Sequence, residues 1–206
     1  MANNTAILLI DPYNDFLHPD GKITPGLQES LDKSGTIEAL KILVSTAHKH
    51  KLPIFYCLHQ QTDAYSYRGW HMMNWSNNTV KDKMVFEKGS WGAEIFEGLR
   101  PDYDNGDVIV SKHWNSSSFH NTDLDFQLRQ RGISNVVIGG MVSNTCVEAT
   151  ARYAYELGYD ITMLSDATAG FTTAQKDAGV ELIWPLFAGK VVKAQEWVQS
   201  LQDAEL

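Results

Sequence analysis

Short apolar runs rich in β-branched residues recur along the chain with windows of helical spacing between them, and no other feature narrows the fold as much. Residues 6–10 (AILLI), 52–59, 107–111 (DVIVS), 136–138 ahead of Gly139 and Gly140, 159–164 and 191–194 read as strands. Over 36–51, Ile37, Leu40, Leu43, Val44 and Ala47 fall on one helical face behind Thr36, a possible N-cap. Residues 93–99, 123–131, 143–157, 173–187 and the tail from Gln195 read as further helices, with Gly132 closing the one over 123–131. Strands this short and apolar are buried on both faces, and strands joined through helices pair in parallel by right-handed crossovers. The expected fold is α/β: three Rossmann-like layers, α/β/α, around a central, mostly parallel six-stranded sheet, in a single domain over 1–206.

Composition removes several function classes. A chain of 206 residues with 43% apolar and 20% charged residues has the make-up of a soluble domain with one core. The formal charge of -8 argues against a duplex nucleic-acid binder, and Lys49, His50 and Lys51 are too short a basic run to offset it. Residues 1–10 lack a secretion signal and no run is apolar for long enough to span a bilayer, so no membrane partner and a cytoplasmic location are expected. Cys57 and Cys146 then read as free thiols in a reducing compartment.

Open parallel sheets bind ligands outside the carboxyl ends of their strands, and chemically capable residues fall at those ends here. Asp11 closes the first strand before Pro12, Lys112 closes the third, and Cys146 falls in the first turn of the helix after Gly139-Gly140. Free N–H groups and the helix dipole at that turn would lower the cysteine pKa and make the thiol nucleophilic. Each has a plainer reading: Asp11 as a turn former, Lys112 as an exposed strand-terminal lysine, Cys146 as a small apolar filler. Cys57, in mid-strand, reads as core. Residues 12–33 read as a long excursion. Over 60–92 periodicity is lost while Tyr65, Tyr67, Trp70, His71, Trp75, Phe86 and Trp91 gather, which fits a lid or a subunit interface.

Four stretches in order, AILLIDPYNDF (6–16), VIVSKHWNSSSF (108–119), GGMVSNTCVEATARY (139–153) and GYDITMLSDATA (158–169), resemble the isochorismatase-like cysteine hydrolases, which include nicotinamidases and N-carbamoylsarcosine amidases. The resemblance spans nearly the whole chain. It implies a catalytic triad of Asp11, Lys112 and Cys146, a cis peptide at Met141-Val142, and an oxyanion hole from the N–H groups of Val142 and Cys146. It also implies hydrolysis of a small-molecule amide or ureide through a thioester on Cys146. Relatives assemble as homo-oligomers, so a dimer or tetramer is expected. Metal-binding members carry an Asp-x-His pair after the second strand; here that region reads Cys57-Leu58-His59-Gln60-Gln61, and His59 and His71 lack a partnering Asp, so no metal or other cofactor is expected. Tyr13, Phe16, Trp91, Trp114 and Phe119 are candidates for the substrate pocket. Two other functions fit the same residues: cleavage of the vinyl ether of isochorismate, which needs the acid and not the thiol, and a catalytically idle binding module.

Overall fold

The chain runs β1 (Thr5–Ile10), α1 (Asn14–Leu17), α2 (Gln28–Ser34), α3 (Thr36–Lys49), β2 (Ile54–Cys57), α4 (Trp75–Asp82), β3 (Val108–Ile109), α5 (Leu124–Gln130), β4 (Asn135–Met141), α6 (Glu148–Glu156), β5 (Asp160–Ala169), α7 (Thr173–Ala178), β6 (Lys190–Val192) and α8 (Ala194–Asp203) in a computed structural model, which describes residues 4–203. The six strands form one sheet in the order β3-β2-β1-β4-β5-β6, and every pairing is parallel. The chain builds outward from β1 through β2 and β3, then returns to add β4, β5 and β6 on the other side. The direction of winding therefore reverses between β1 and β4, where parallel sheets of this kind open a crevice.

The period-two alternation of β1 decides the layers. Ile7 and Leu9 pack on one face with Leu40, Leu43 and Val44 of α3 and Trp197 and Val198 of α8. Ala6, Leu8 and Ile10 pack on the other with Leu124 and Leu128 of α5 and Ala151 and Ala154 of α6. Both faces are thus closed to water, each buried leucine or isoleucine contributing about 2 kcal/mol. Gly35, at φ 63°, ends α2 with its N–H on the Asp32 and Leu31 carbonyls and starts α3 in the next residue. Among the described residues no helix is long and apolar enough to cross a membrane.

Several boundaries differ from those expected. Residues 93–99 are not a helix: after a single turn at Trp91–Ala93 the backbone bonds to the loop behind β1, Asn14 N–H to Glu94 C=O at 3.0 Å and Phe96 N–H to Pro12 C=O at 2.8 Å. The expected helix over 173–187 is broken into α7, a wide turn at Gly179–Ile183 and a tight turn at Trp184–Leu186, where Pro185 has no N–H to continue it. β5 runs on to Ala169 because an irregularity opposite Ile138 and Gly140 restores pairing at Gly140↔Thr168. Helices also form where none was expected. α1 and α2 lie in the excursion over 12–33, and α4 lies in the aromatic segment, started by a reciprocal cap in which Asn74 and Asn77 each accept the other's N–H.

Candidate active site

Four adjacent strands each deliver one polar side chain to the same end of the sheet: His113 beyond β3, His59 beyond β2, Asp11 beyond β1 and Cys146 beyond β4. Asp11 is fully buried and holds φ 46°, a conformation uncommon outside glycine, with its N–H on the Cys57 carbonyl at 2.9 Å. That twist turns its carboxylate into the crevice. β4 can come this close only because Gly140 has no side chain: a Cβ there would run into the Ile10 carbonyl. After the cis bond between Met141 and Val142, the chain makes a wide turn over Ser143–Val147, and Cys146 occupies it just ahead of α6.

The carboxylate is held from two sides. Oδ1 of Asp11 accepts the His59 N–H at 2.6 Å, and Nε2 of His113 approaches the same oxygen at 3.2 Å, close but off the hydrogen-bond line. Among the described residues Oδ2 has no hydrogen-bond partner. Nδ1 of His113 lies 3.1 Å from the Asn115 carbonyl, which the Cys146 thiol also faces, at 3.8 Å. Asn77 of α4 donates to the Asn115 side chain at 3.0 Å and so ties the aromatic segment to this loop.

Burial would push the His113 ring down, but the Asp11 charge and contact outweigh it, and the net shift is upward. His59 shifts the other way: burial outweighs the Asp11 charge and keeps its ring neutral. The Cys146 thiol corrects an expectation. Burial first, then the charge and side-chain contact of Asp11, push its pKa well up, and the Thr145 hydroxyl and Val142 backbone only partly oppose this. A wide, buried turn against a carboxylate thus overrides the helix-dipole effect, and the resting form is the thiol.

Comparison with known proteins places this arrangement. Residues 5–196 match the Isochorismatase domain family. The chain belongs to the isochorismatase family of hydrolases. Ureidoacrylate amidohydrolase RutB of Agrobacterium fabrum is 28% identical over 98% of this chain and 88% of its own, and RutB of Azorhizobium caulinodans is 30% identical over 86% and 82%. A cysteine hydrolase from Pseudomonas syringae superposes with a TM-score of 0.81 at 25% identity, covering 99% of this chain and 95% of that one. N-carbamoylsarcosine amidase from Thermoplasma acidophilum superposes at 0.64 with 27% identity, over 92% and 95%.

Within this isochorismatase-family chain, Lys112 makes no ion pair with Asp11 among the described residues, and the cation position of the implied triad is met by a different side chain. Lys112 lines an open cleft of about 510 Å3 with Tyr13, Leu58, Gln61, Arg100 and Ile109. The neighbouring residue, His113, is the one directed at Asp11, because its backbone pairs with Leu58 and Gln60 beside His59 and turns the ring inward. The pocket candidates also divide. Phe16 and Phe119 are core, Phe16 against Phe86 and Phe119 against Tyr153 and Tyr159. Tyr13 is buried and braces the site from below, its hydroxyl donating to the His59 carbonyl at 2.8 Å. Trp91 is half exposed over His18. Trp114 is next in the chain to His113 and packs on Trp70 and Tyr67 at 5.2 and 6.0 Å.

His59, His113 and Asn115 were missed as site residues. The signal for His113 was its adjacency to Lys112, but choosing between neighbours needs a one-residue register that a two-residue strand does not supply. Among the described residues no three His, Cys, Asp or Glu side chains gather as a metal site; His71 is exposed, and the His59 ring is turned to the Gln60 carbonyl at 2.9 Å.

Proposed function

We propose that this chain is a cysteine hydrolase that cleaves a C–N bond of a small amide or ureide through a thioester on Cys146. The observation that carries the reading is that the buried Cys146 thiol, turned to the Asn115 carbonyl at 3.8 Å, and the buried Asp11 carboxylate come to the same end of the sheet at the switch point between β1 and β4, near enough for the Asp11 charge to push the thiol pKa up. Relatives named for ureidoacrylate and N-carbamoylsarcosine support the substrate class.

The raised thiol pKa means that the proton must leave as the sulfur attacks. Oδ2 of Asp11, free of other hydrogen bonds, takes it while the new S–C bond forms and the carbonyl electrons move to oxygen. The N–H groups of Val142 and Cys146 meet that charge, and one such donor is worth about 3 kcal/mol in the transition state. As the C–N bond breaks, Asp11 hands the proton to the departing amine or ammonia. Water then adds to the thioester, Asp11 takes its proton, and the sulfur leaves to recover it.

The test is ammonia release from a panel of amides and ureides that includes ureidoacrylate and N-carbamoylsarcosine, with Cys146→Ala and Asp11→Asn alongside the unmodified protein. The expected result is turnover of at least one ureide, lost in both variants. Turnover that survives Cys146→Ala, or pyruvate release from isochorismate with no ureide turned over, would overturn the reading.

A further inference from the structure

We propose that His113 is the positioning cation of this site, in the role that the resemblance gave to a lysine, so that the reactivity of Cys146 follows the protonation of an imidazole. The inference rests on Asp11 and Cys146 being the reacting pair. A carboxylate buried as fully as Asp11 needs a compensating positive charge. Among the described residues the only cationic side chain within ion-pair distance of it is His113, at 3.2 Å.

The geometry around the ring fits the charged form. Nε2 faces a carboxylate oxygen and Nδ1 faces the Asn115 carbonyl at 3.1 Å. Both are acceptors: the Nδ1 contact is a hydrogen bond, the Nε2 contact is an ion-pair approach without hydrogen-bond alignment, and a ring charged on both nitrogens suits the two together. The groups facing the ring from other elements leave that charge undisturbed. Asp11 comes from β1, and the neutral His59 stands edge-on beyond β2 with ring centroids 5.3 Å apart. Cys57, near Asp11, is buried with its thiol pushed up, and so is Tyr13 with its phenol. Lys112 lines the open cleft and makes no ion pair with Asp11 among the described residues.

The protonated ring offsets part of the Asp11 charge and so lowers the cost of ionising the buried thiol near them. Without the ring charge the carboxylate stands alone and opposes the thiolate. A lysine keeps its charge to about pH 10, whereas an imidazole gives it up earlier even when its pKa is raised. The site is therefore tied to pH in a way that a lysine-bearing site is not.

The test needs no substrate. Iodoacetamide alkylates a thiolate by forming an S–C bond as iodide leaves, and peptide mass spectrometry separates Cys146 from the fully buried Cys57. The pH midpoint of Cys146 alkylation is measured in the unmodified protein, His113→Gln and His113→Lys, with melting temperature confirming the fold of each. The expected midpoint rises by about 1 unit or more in His113→Gln, and His113→Lys recovers at least half of that rise. A His113→Gln profile that superimposes on the unmodified protein, or a folded His113→Lys that behaves like His113→Gln, would overturn the inference. A failed ureide panel with a shifted midpoint would sink the proposed substrate class and leave the His113 role standing.

Discussion

His113 Nε2 lies 3.2 Å from Asp11 Oδ1, and both side chains are closed to solvent. The two residues are about a hundred positions apart in the chain, on strands separated by β2. The predictions below follow from that approach and from the packing that produces it.

Lys112→Ala is expected to leave turnover within about twofold and stability within about 0.5 kcal/mol, because the side chain lines an open cleft and makes no ion pair among the described residues. Steady-state ammonia release and urea unfolding check this. A loss of a hundredfold or more would return the lysine to the reaction centre.

The two site histidines should pull stability in opposite directions with pH. The folded pKa of His59 is lowered, so the unfolded chain binds its proton more readily, and stability is lost as pH falls below about 6.5. The folded pKa of His113 is raised, so its contribution is complete below about 6.5 and disappears as pH rises through the folded value. Melting temperature against pH should therefore fall less steeply on the acid side in His59→Gln and less steeply on the alkaline side in His113→Gln. Curves parallel to that of the unmodified protein would refute this assignment.

Asp107 is the strongest structural target outside the site. Its buried carboxylate accepts the Ile54 N–H at 3.0 Å, the Asp102 N–H at 2.9 Å and the Asn105 amide at 2.9 Å, and it pairs with His48 at 2.9 Å. These bonds fix the start of β2 against β3. Asp107→Ala should cost about 3 kcal/mol by leaving buried donors unpaired, read as a lower denaturation midpoint with an unchanged slope. Turnover by the remaining folded fraction should be normal.

The Asn77–Asn115 contact explains part of what the aromatic segment does. It joins α4 to the loop whose carbonyl receives both His113 and Cys146, and Tyr67 and Trp70 pack on Trp114 of that same loop. The segment thus packs on the loop at the site. No periodicity announced this, because α4 is held by its Asn cap and by contacts to distant residues, with little apolar face of its own.

The sequence by itself determined the layers and the edge at which chemistry gathers. Apolar runs buried on both sides must pair in parallel between helices, so Asp11, at the end of one run, and Cys146, just past Gly139-Gly140, had to arrive at one rim. It could not choose between Lys112 and His113. Turning one residue inward and its neighbour outward depends on the pairing of the loop beyond β3 with the strand end at Leu58, a contact across more than fifty positions that local spacing does not encode. Nor could it set the charge state of Cys146. A helix-terminal position argued for a thiolate, and only the packed structure, which buries the sulfur beside a carboxylate, made the neutral thiol the resting form.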